Sequence, residues 1–302
     1  MMTFTRPMRD EPRITRLGEL RAERPCRSCG RLPCSSSLRV VSWNVALRLR
    51  LRELVYDLYE RRLRRQLKGA QPPRHVGVIL DGNRRWAKEA GFDADYGHRA
   101  GARKISDFLG WCRENQVEVV TLWLLSTDNL RRASSEVDSL LEIIAGVVEE
   151  ITQPGTPWRV RIVGAMDLLP TEIAARISAA ALRTENRDGM QVNVAVGYGG
   201  RQEIADAVRK MLQRHAEAGT TIEELAEVLD VDHIAEHLYT SGQPDPELLI
   251  RTSGEQRLSG FMLWQSAHSE FWFCETYWPA FRRVDFLRAL RNFAARHRRF
   301  GN

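Results

Sequence analysis

Short apolar runs alternate with longer segments of helical periodicity from residue 71 to the end of the chain. The apolar runs predict strands at His75–Leu80, Val117–Leu125, Arg159–Val163, Gln191–Val196, Glu247–Arg251 and Phe261–Trp264. Segments with apolar residues three and four positions apart predict helices at Gly101–Asn115, Ser135–Ile151, Thr171–Thr184, Arg201–Ala216, Ile222–Leu229, Val231–Tyr239 and Val284–His297. Strands that alternate with helices favour a mostly parallel sheet flanked by helices on both faces. We therefore predict the α/β fold class, with a single domain over residues 71–302.

The pattern is different before residue 71. Residues 1–37 contain four prolines and scattered arginines but little apolar periodicity, which is typical of a disordered basic arm. From Leu38, apolar residues recur at helical spacing with arginines between them, so residues 38–70 are predicted to form basic amphipathic helix. Such a segment fits docking on the body with a solvated arginine face, and it also fits attachment to an anionic membrane surface. The two interpretations are compatible.

The net charge of +6 is distributed unevenly over the 302 residues. The first 70 residues carry 17 basic and 7 acidic side chains, whereas the remaining residues carry 28 and 32. A basic arm thus precedes a slightly acidic body, which weakens an interpretation as a nucleic-acid-binding protein.

No apolar run reaches the roughly 18–20 residues that span a bilayer, and no secretory signal pattern is present, so we expect a cytoplasmic location. Five cysteines, an odd number, argue against a disulfide framework.

Polar residues follow the first predicted strand directly. They form a turn that leads into a helix, with the sequence Asp81-Gly82-Asn83-Arg84-Arg85-Trp86. Gly82 permits close backbone approach, the start of the helix offers free N–H groups, and two arginines add positive charge, so this segment suits a phosphate or diphosphate. Asp81 would repel that anion unless a divalent cation lies between them. Asp81 is therefore a candidate Mg²⁺ ligand.

Two later strands end in the same way. Ser126-Thr127-Asp128-Asn129 follows the second predicted strand, and the segment Arg251–Ser259 lies between two later strands. Each segment taken alone is explained by an ordinary turn or a solvated helix start. Because the carboxyl ends of parallel strands meet at one edge of a sheet, the three segments together predict a site for one or two substrates with several phosphate charges.

These segments resemble the signatures of the cis-prenyltransferases, the undecaprenyl diphosphate synthase family. The resemblance lies in His75–Trp86 for the first signature, Leu125–Asn129 with Arg132 and Glu136 for the middle one, and Arg251–Ser259 with Trp264, Gln265 and Glu270 for the last. It covers residues 71–302 and implies the α/β fold of that family. It also implies a reaction that condenses isopentenyl diphosphate with an allylic diphosphate, forms a cis double bond and releases diphosphate.

The resemblance further implies roles for individual residues. Asp81 and Glu270 would serve Mg²⁺. The allylic diphosphate would bind at Gly82, Asn83, Arg84 and Arg85, and the diphosphate of isopentenyl diphosphate at Arg251, Arg257 and Ser259. Further substrate contacts are implied for Trp86, His98, Ser126, Thr127, Asp128 and Arg132. Asn129 is the family's usual nominee for removing the proton from isopentenyl diphosphate, although an amide is a poor base and the released diphosphate is a physical alternative.

The end of the chain implies a homodimer. Arg299-Phe300-Gly301 resembles the family's terminal Arg-x-Gly, which reaches into the neighbouring subunit's site. Arg299 and Gly301 are therefore expected to contribute to substrate binding. Ala94 departs from the family pattern, because an arginine is common at this position. One diphosphate contact is therefore missing, and Arg84 is a candidate to compensate for it.

Leu124 and Leu125 bear on the length of the product. The sequence Leu-Leu-Ser-Thr-Asp-Asn resembles that of actinobacterial short-chain enzymes of this family, which make Z,E-farnesyl diphosphate. A leucine adds bulk where long-chain enzymes have a small residue, so we predict that growth stops at a C15 product made from geranyl diphosphate. The alternatives are a medium- or long-chain polyprenyl diphosphate synthase, a non-catalytic partner subunit and a nucleic-acid-binding protein.

Overall fold

A parallel sheet lies at the centre of the part of the chain that the computed structural model describes, which is residues 53–132 and 134–300 without the side chains of residues 297–300. Its strands are β1 (His75–Ile79), β2 (Val119–Trp123), β3 (Trp158–Val163), β4 (Met190–Ala195), β5 (Leu248–Arg251) and β6 (Glu270–Phe273). They lie in the order β3-β4-β2-β1-β5-β6, and every neighbouring pair is parallel. The predicted α/β class with a mostly parallel sheet is confirmed. The arm predicted over residues 1–37 and the start of the predicted amphipathic segment lie outside the described residues.

Helices connect the strands and cover the sheet. They are α1 (residues 53–67), α2 (Asn83–Ala90), α3 (Ala94–Glu114), α4 (Ser134–Ile151), α5 (Thr171–Leu182), α6 (Gly200–Glu217), α7 (Ile222–Val228), α8 (Val231–Ala235) and α9 (Arg283–Phe300). Each predicted helix has a counterpart. Helix α3 begins earlier than the predicted Gly101, because the Asp93 side chain caps it by accepting a hydrogen bond from the Tyr96 N–H at 2.7 Å.

The strand predicted at Phe261–Trp264 is wrong. Residues 259–268 form turns, and the strand in this part of the chain is β6. Phe261 is nevertheless fully buried, and its ring stacks on that of Trp123 with 5.1 Å between the centroids. Met262 has a φ of 45°, which an extended strand does not allow. The run is apolar because it covers a face of the sheet, not because it pairs within the sheet.

The two faces of the sheet are covered differently. Side chains alternate along each strand, so Val76 and Val78 of β1 belong to one core cluster and Ile79 to another. The first face packs against α3, α4, α5 and α9 and forms the larger core. The second face packs around the rings of Trp123, Tyr198 and Phe261. This smaller cluster lies at the ends of the strands and supports the loops that follow β1, β2 and β5.

A buried polar network crosses the other half of the second face. The His75 imidazole donates from Nδ1 to the carbonyl oxygen of Pro244 at 2.7 Å, and its Nε2 accepts from the Thr121 hydroxyl at 2.8 Å. Thr121 Oγ1 in turn accepts from Asn193 Nδ2 at 2.9 Å, and Asn193 bonds to Gln243. Burial lowers the pKa of His75 to about 4, although the hydrogen bond to Pro244 opposes this shift. The network therefore holds a neutral histidine with one fixed tautomer.

This network should make stability depend on pH. As the pH falls below the ordinary histidine pKa of 6.5, His75 is protonated in the unfolded chain, whereas in the folded chain it is protonated only near pH 4. The contribution of His75 to the free energy of unfolding is therefore fully present above pH 6.5 and falls by about 3 kcal/mol as the pH is lowered to 4. We expect His75→Gln to remove that part of the pH dependence. Denaturant unfolding of both proteins between pH 7 and pH 4 measures it.

The control is His268→Gln, which removes an exposed histidine and leaves the network intact. Its unfolding free energy should follow the same pH dependence as that of the unaltered protein. Equal slopes for the unaltered protein and His75→Gln would contradict the assignment of a buried neutral imidazole.

Candidate active site

Three loops meet where β1, β2 and β5 end. Strand β1 lies between β2 and β5 and is parallel to both, so the loops after Ile79, Trp123 and Arg251 leave the sheet at the same edge. A cleft of about 620 Å³ opens between these loops and the helices α2, α3 and α4. The predicted site residues that line it are Asp81, Gly82, Asn83, Arg84, Arg85, His98, Leu124, Leu125, Ser126, Asn129, Arg132, Arg251, Arg257 and Ser259. The three sequence segments thus contribute to one site.

Asp81 lies at the centre of the charged part of the cleft. Its Oδ2 accepts a hydrogen bond from Arg251 Nη2 at 2.8 Å, and its Oδ1 accepts from Arg85 Nη2 at 3.2 Å. Burial raises the pKa of Asp81, but the guanidinium groups of Arg251 and Arg85 and a hydrogen bond from Ser253 outweigh it and hold the pKa below its ordinary value. Asp81 is therefore an ionised carboxylate shared by two arginines.

Two glutamates each bridge a pair of arginines. Glu255 accepts from Arg85 Nη1 at 3.0 Å and also from Arg257. Glu136 accepts from Arg84 Nη1 at 3.2 Å and from Arg132 Nη1 at 3.0 Å. The adjacent arginines of α2 thereby point in different directions, Arg84 towards the start of α4 and Arg85 towards the loop after β5. Burial and the neighbouring charge of Arg84 lower the pKa of Arg132, so these positive charges are bridged by glutamates but still repel one another. Such an arrangement suits polyphosphate anions.

The start of α2 provides backbone donors at the cleft. Gly82 precedes the helix with a φ of 102°, and a Cβ there would lie 2.5 Å from Cδ1 of Tyr277, so only glycine fits. No side chain caps this end of the helix, which leaves its first N–H groups available to an anion. Gly101 of α3 passes close to the same turn, because a Cβ on it would lie 2.3 Å from Asn83 Oδ1.

The loop after β2 presents a small set of hydrogen-bonding groups. The Ser126 hydroxyl accepts from the backbone N–H of Asn129 at 3.1 Å. Asn129 Oδ1 accepts from Arg132 Nη2 at 2.7 Å, so its orientation is fixed. His98 Nε2 is buried nearby and has no hydrogen-bond partner among the described residues. Burial, with Arg132 adding to it, lowers the pKa of His98 and favours a neutral ring.

The loop after β5 carries the last two predicted contacts. We name residues 252–262 the arginine loop. Within it the Ser259 hydroxyl and the Arg257 carbonyl oxygen both accept from Nη1 of Arg251, at 2.8 Å for Ser259. Ser253, Ser259 and Met262 have φ values of 81°, 52° and 45°, in the left-handed region. The loop is therefore tied to Arg251 in a conformation that residues other than glycine rarely adopt.

Comparison with known proteins identifies the family. A sequence profile described as "Putative undecaprenyl diphosphate synthase" matches residues 79–301. The chain belongs to the cis-prenyltransferase family. It is accordingly an enzyme that transfers prenyl groups, and the family predicted from its sequence is confirmed.

Relatives of this cis-prenyltransferase match most of its chain. It is 63% identical over 252 residues, 83% of this chain and 98% of the relative, to the "(2Z,6E)-farnesyl diphosphate synthase" of Thermobifida fusca. It is 60% identical over 256 residues, 85% of this chain and 99% of the relative, to "Isoprenyl transferase 1" of Streptomyces avermitilis. Lavandulyl diphosphate synthase from Lavandula x intermedia, solved in complex with dimethylallyl diphosphate, has a similar structure. Its TM-score is 0.70 at 33% identity, covering 76% of this chain and 99% of that one.

The other end of the cis-prenyltransferase cleft is apolar. Leu124, just after β2, lies in its wall, and Leu125 is almost fully buried behind it. Helix α4 contributes a stripe of side chains one turn apart, at Leu140, Ile144 and Val147. A stripe at this spacing is the ordinary sign of a core-facing helix, so sequence reasoning did not single these residues out as part of the site.

Some predicted residues lie elsewhere. Thr127, Asp128 and Trp86 are not among the residues that line the cleft, and Trp86 stacks on Tyr96 with 6.0 Å between the ring centroids. The side chain of Arg299 and all of Gly301 lie outside the described residues.

Glu270 is not brought to Asp81 within the chain. It is the first residue of β6 and pairs with Leu248, whereas Arg251, which contacts Asp81, pairs with Phe273 at the other end of that strand. Three residues of strand correspond to about 10 Å. Glu270 instead accepts a hydrogen bond from Arg296 of α9. One chain alone does not form the predicted metal site that combines Asp81 and Glu270.

The close approach of α3 to α2 yields a testable consequence. Gly101→Ala should push Asn83 out of position, because the added methyl group would overlap its side-chain oxygen. We expect kcat/KM for prenyl transfer to fall by about tenfold or more. The control is Gly110→Ala on the same helix, where a Cβ meets nothing within 4 Å. That variant should keep its activity and gain up to about 1 kcal/mol of stability. Unchanged activity in Gly101→Ala would contradict a role for this approach in shaping the site.

Proposed function

We propose that this enzyme is a short-chain cis-prenyltransferase that condenses isopentenyl diphosphate with an allylic diphosphate, preferably geranyl diphosphate, to give Z,E-farnesyl diphosphate and diphosphate. The observation that carries the proposal is the cleft itself, in which arginines from the three segments after β1, after β2 and at the end of β5 adjoin an apolar end walled by Leu124 and α4. Relatives at 57% and 63% identity bear the name (2Z,6E)-farnesyl diphosphate synthase, which supports the short-chain product.

Each diphosphate has its own group of residues. The allylic diphosphate would bind the free N–H groups at the start of α2, with Arg84 and Arg85 beside it. The diphosphate of isopentenyl diphosphate would bind Arg251, Arg257 and Ser259. Both diphosphates would then lie near Asp81, with the hydrocarbon chain directed to the apolar end. In the reaction, the bond from the allylic carbon to its diphosphate breaks, a carbon–carbon bond forms, and isopentenyl diphosphate loses a proton.

Mg²⁺ is the proposed cofactor, and Asp81 is the residue that would hold it. Asp81 is an ionised carboxylate at the cleft, as a hard cation requires. Among the described residues there is no group of three or more His, Cys, Asp or Glu side chains that could hold a metal ion. This fits an ion that takes most of its ligands from substrate phosphates and water. When bound, the ion supplies positive charge to the departing diphosphate.

Asn129 is well placed to orient a substrate but poorly suited to take its proton. Its side-chain oxygen already accepts a hydrogen bond from Arg132, and a neighbouring positive charge makes an amide a still weaker base. We therefore propose that the released diphosphate accepts the proton and that Asn129 positions the substrate.

A homodimer is also proposed. The terminal Arg299-Phe300-Gly301 resembles a family motif that reaches into the neighbouring subunit's site. In the proposed dimer, Arg299 and Gly301 of each chain would contact the substrate bound to the other.

A peripheral contact with the inner face of the membrane, from the cytoplasm, is proposed for the N-terminal helix. Val55 and Leu58 of α1 are exposed, and Arg61 and Arg62 follow them in the next turn. Exposed apolar side chains beside arginines suit an anionic lipid surface. Of the described helices, none has the length and apolar character needed to cross a bilayer.

Product analysis tests the central proposal. The full chain is incubated with Mg²⁺, isopentenyl diphosphate and either geranyl or farnesyl diphosphate, and the products are dephosphorylated and separated by chromatography. We expect a C15 product from geranyl diphosphate and little extension of farnesyl diphosphate. EDTA should abolish the reaction because the diphosphate leaves without a cation to stabilise it. Products much longer than C15 would favour a long-chain synthase, and no product at all would refute the proposal.

Leu124→Ala tests the basis of product length. Removing three carbons from the wall of the cleft should leave room for a further isoprene unit, so the product should shift from C15 towards longer chains. The matched control is Leu212→Ala, at an exposed position on α6 away from the cleft, which should leave the product unchanged. A C15 product from Leu124→Ala would show that other residues set the length.

A further inference from the structure

A buried glutamate lies directly behind the arginine loop. Glu203, in the first turn of α6, is fully buried and does not line the cleft. Its Oε2 accepts a hydrogen bond from the Tyr198 hydroxyl, and its Oε1 accepts from Gln265 Nε2 at 3.0 Å and from the Tyr239 N–H at 3.0 Å. Burial raises the pKa of Glu203, and these hydrogen bonds oppose the shift. Burial of a carboxylate costs free energy unless its hydrogen bonds are all made. Glu203 therefore depends on the three hydrogen bonds together.

Tyr198 transmits this arrangement to the arginine loop. Its hydroxyl oxygen accepts a hydrogen bond from the backbone N–H of Met262 at 3.2 Å while it donates to Glu203. The start of α6 adds a second bond, from the Gly200 N–H to the Gly260 carbonyl oxygen at 2.8 Å. Both bonds reach the turn that contains the left-handed residues Ser259 and Met262. The conformation of that turn therefore depends on Tyr198 and α6.

The same tyrosine also holds the loop after β2. Its backbone carbonyl oxygen accepts from the Thr127 N–H at 3.1 Å, and its own N–H donates to the Leu125 carbonyl oxygen at 3.0 Å. The backbone of Tyr198 thus fixes one wall of the cleft, and its side chain fixes another. Only the side-chain bonds depend on Glu203.

We infer that Glu203 is a positioning residue for the isopentenyl diphosphate end of the site: through Tyr198 and Gln265 it holds the turn that carries Ser259 in place against Arg251. Ser259 accepts from Arg251 at 2.8 Å, so a shift of the turn separates two of the groups that would bind one diphosphate. The inference rests on the proposed function. The allylic end, built on α2, has no bond to Glu203 and should be affected far less.

The test compares the kinetics of Tyr198→Phe and Glu203→Gln with those of the unaltered enzyme. Tyr198→Phe removes a single oxygen atom and leaves the Met262 N–H without its acceptor. Glu203→Gln keeps the size of the side chain but replaces one acceptor oxygen by an NH2 group, so it can no longer accept from the Tyr198 hydroxyl and from the Gln265 and Tyr239 N–H groups at the same time. We expect each variant to raise KM for isopentenyl diphosphate by about tenfold, with KM for the allylic substrate within about twofold of the original. A general loss of structure would not separate the two KM values.

The matched control is Asp206→Asn. Asp206 lies one turn further along α6 and also accepts from a tyrosine hydroxyl, that of Tyr239, but it has no hydrogen bond to the arginine loop. This variant should keep both KM values. Thermal unfolding of all three variants checks that they are folded, and if Glu203→Gln is not, Tyr198→Phe decides alone.

Two results would overturn the inference. One is a KM for isopentenyl diphosphate within about twofold of the original in folded Tyr198→Phe. The other is an equal rise in both KM values. Calorimetric titration with isopentenyl diphosphate separates this inference from the proposed function, because it needs no turnover. If the unaltered chain binds isopentenyl diphosphate but forms no product, the proposed function fails, and the dissociation constants of the variants still decide the role of Glu203.

Discussion

The contact between Asp81 and Arg251 is the interaction on which the site depends. The side chain of Arg251 is only 6% exposed, and a charge removed from water to that extent must be paired. Asp81 supplies the counter-charge at Nη2, and Ser259 and the carbonyl oxygen of Arg257 accept from the other terminal nitrogen, Nη1. One side chain thus links the end of β1, the end of β5 and the arginine loop. Removal of Asp81 would leave the buried charge of Arg251 without its counter-charge, so the arrangement of the three segments depends on this contact.

The carboxylates allow several arginines to share a small volume. Arg84 and Arg85 are neighbours in sequence, and Glu136 and Glu255 partly offset the repulsion between their charges and those of the facing arginines. Each glutamate accepts from two arginines, as a phosphate group can. A diphosphate that enters the cleft can therefore take over hydrogen bonds that already point in useful directions. Donors that need little rearrangement are what stabilises the charge on a departing group.

The sequence predicted the elements and the positions of most cleft residues, because both follow from local patterns. Apolar runs mark the strands, and residues just past a parallel strand must lie at one edge of the sheet. Three features depended on contacts between distant segments. The apolar run at Phe261 forms a buried turn. The Phe261 ring covers the sheet, and the backbone of the run does not pair with a strand. The separation of Glu270 from Asp81 follows from the register of β5 and β6. Glu203 lies near the start of a helix, where an acidic residue is ordinarily solvated, and only the folded chain buries it.

The unusual backbone of the arginine loop fits the diphosphate binding proposed for it. Ser253, Ser259 and Met262 each have positive φ values, which cost about 1–3 kcal/mol apiece in residues other than glycine. Such a conformation persists only when the surrounding structure enforces it, and here Phe261, Met262 and Gln265 are all buried around the turn. A relaxed loop would have to be reordered each time a diphosphate bound, at the expense of affinity. The packing of the smaller core therefore compensates for this strain, and in the proposed site the donors are in position before the substrate binds.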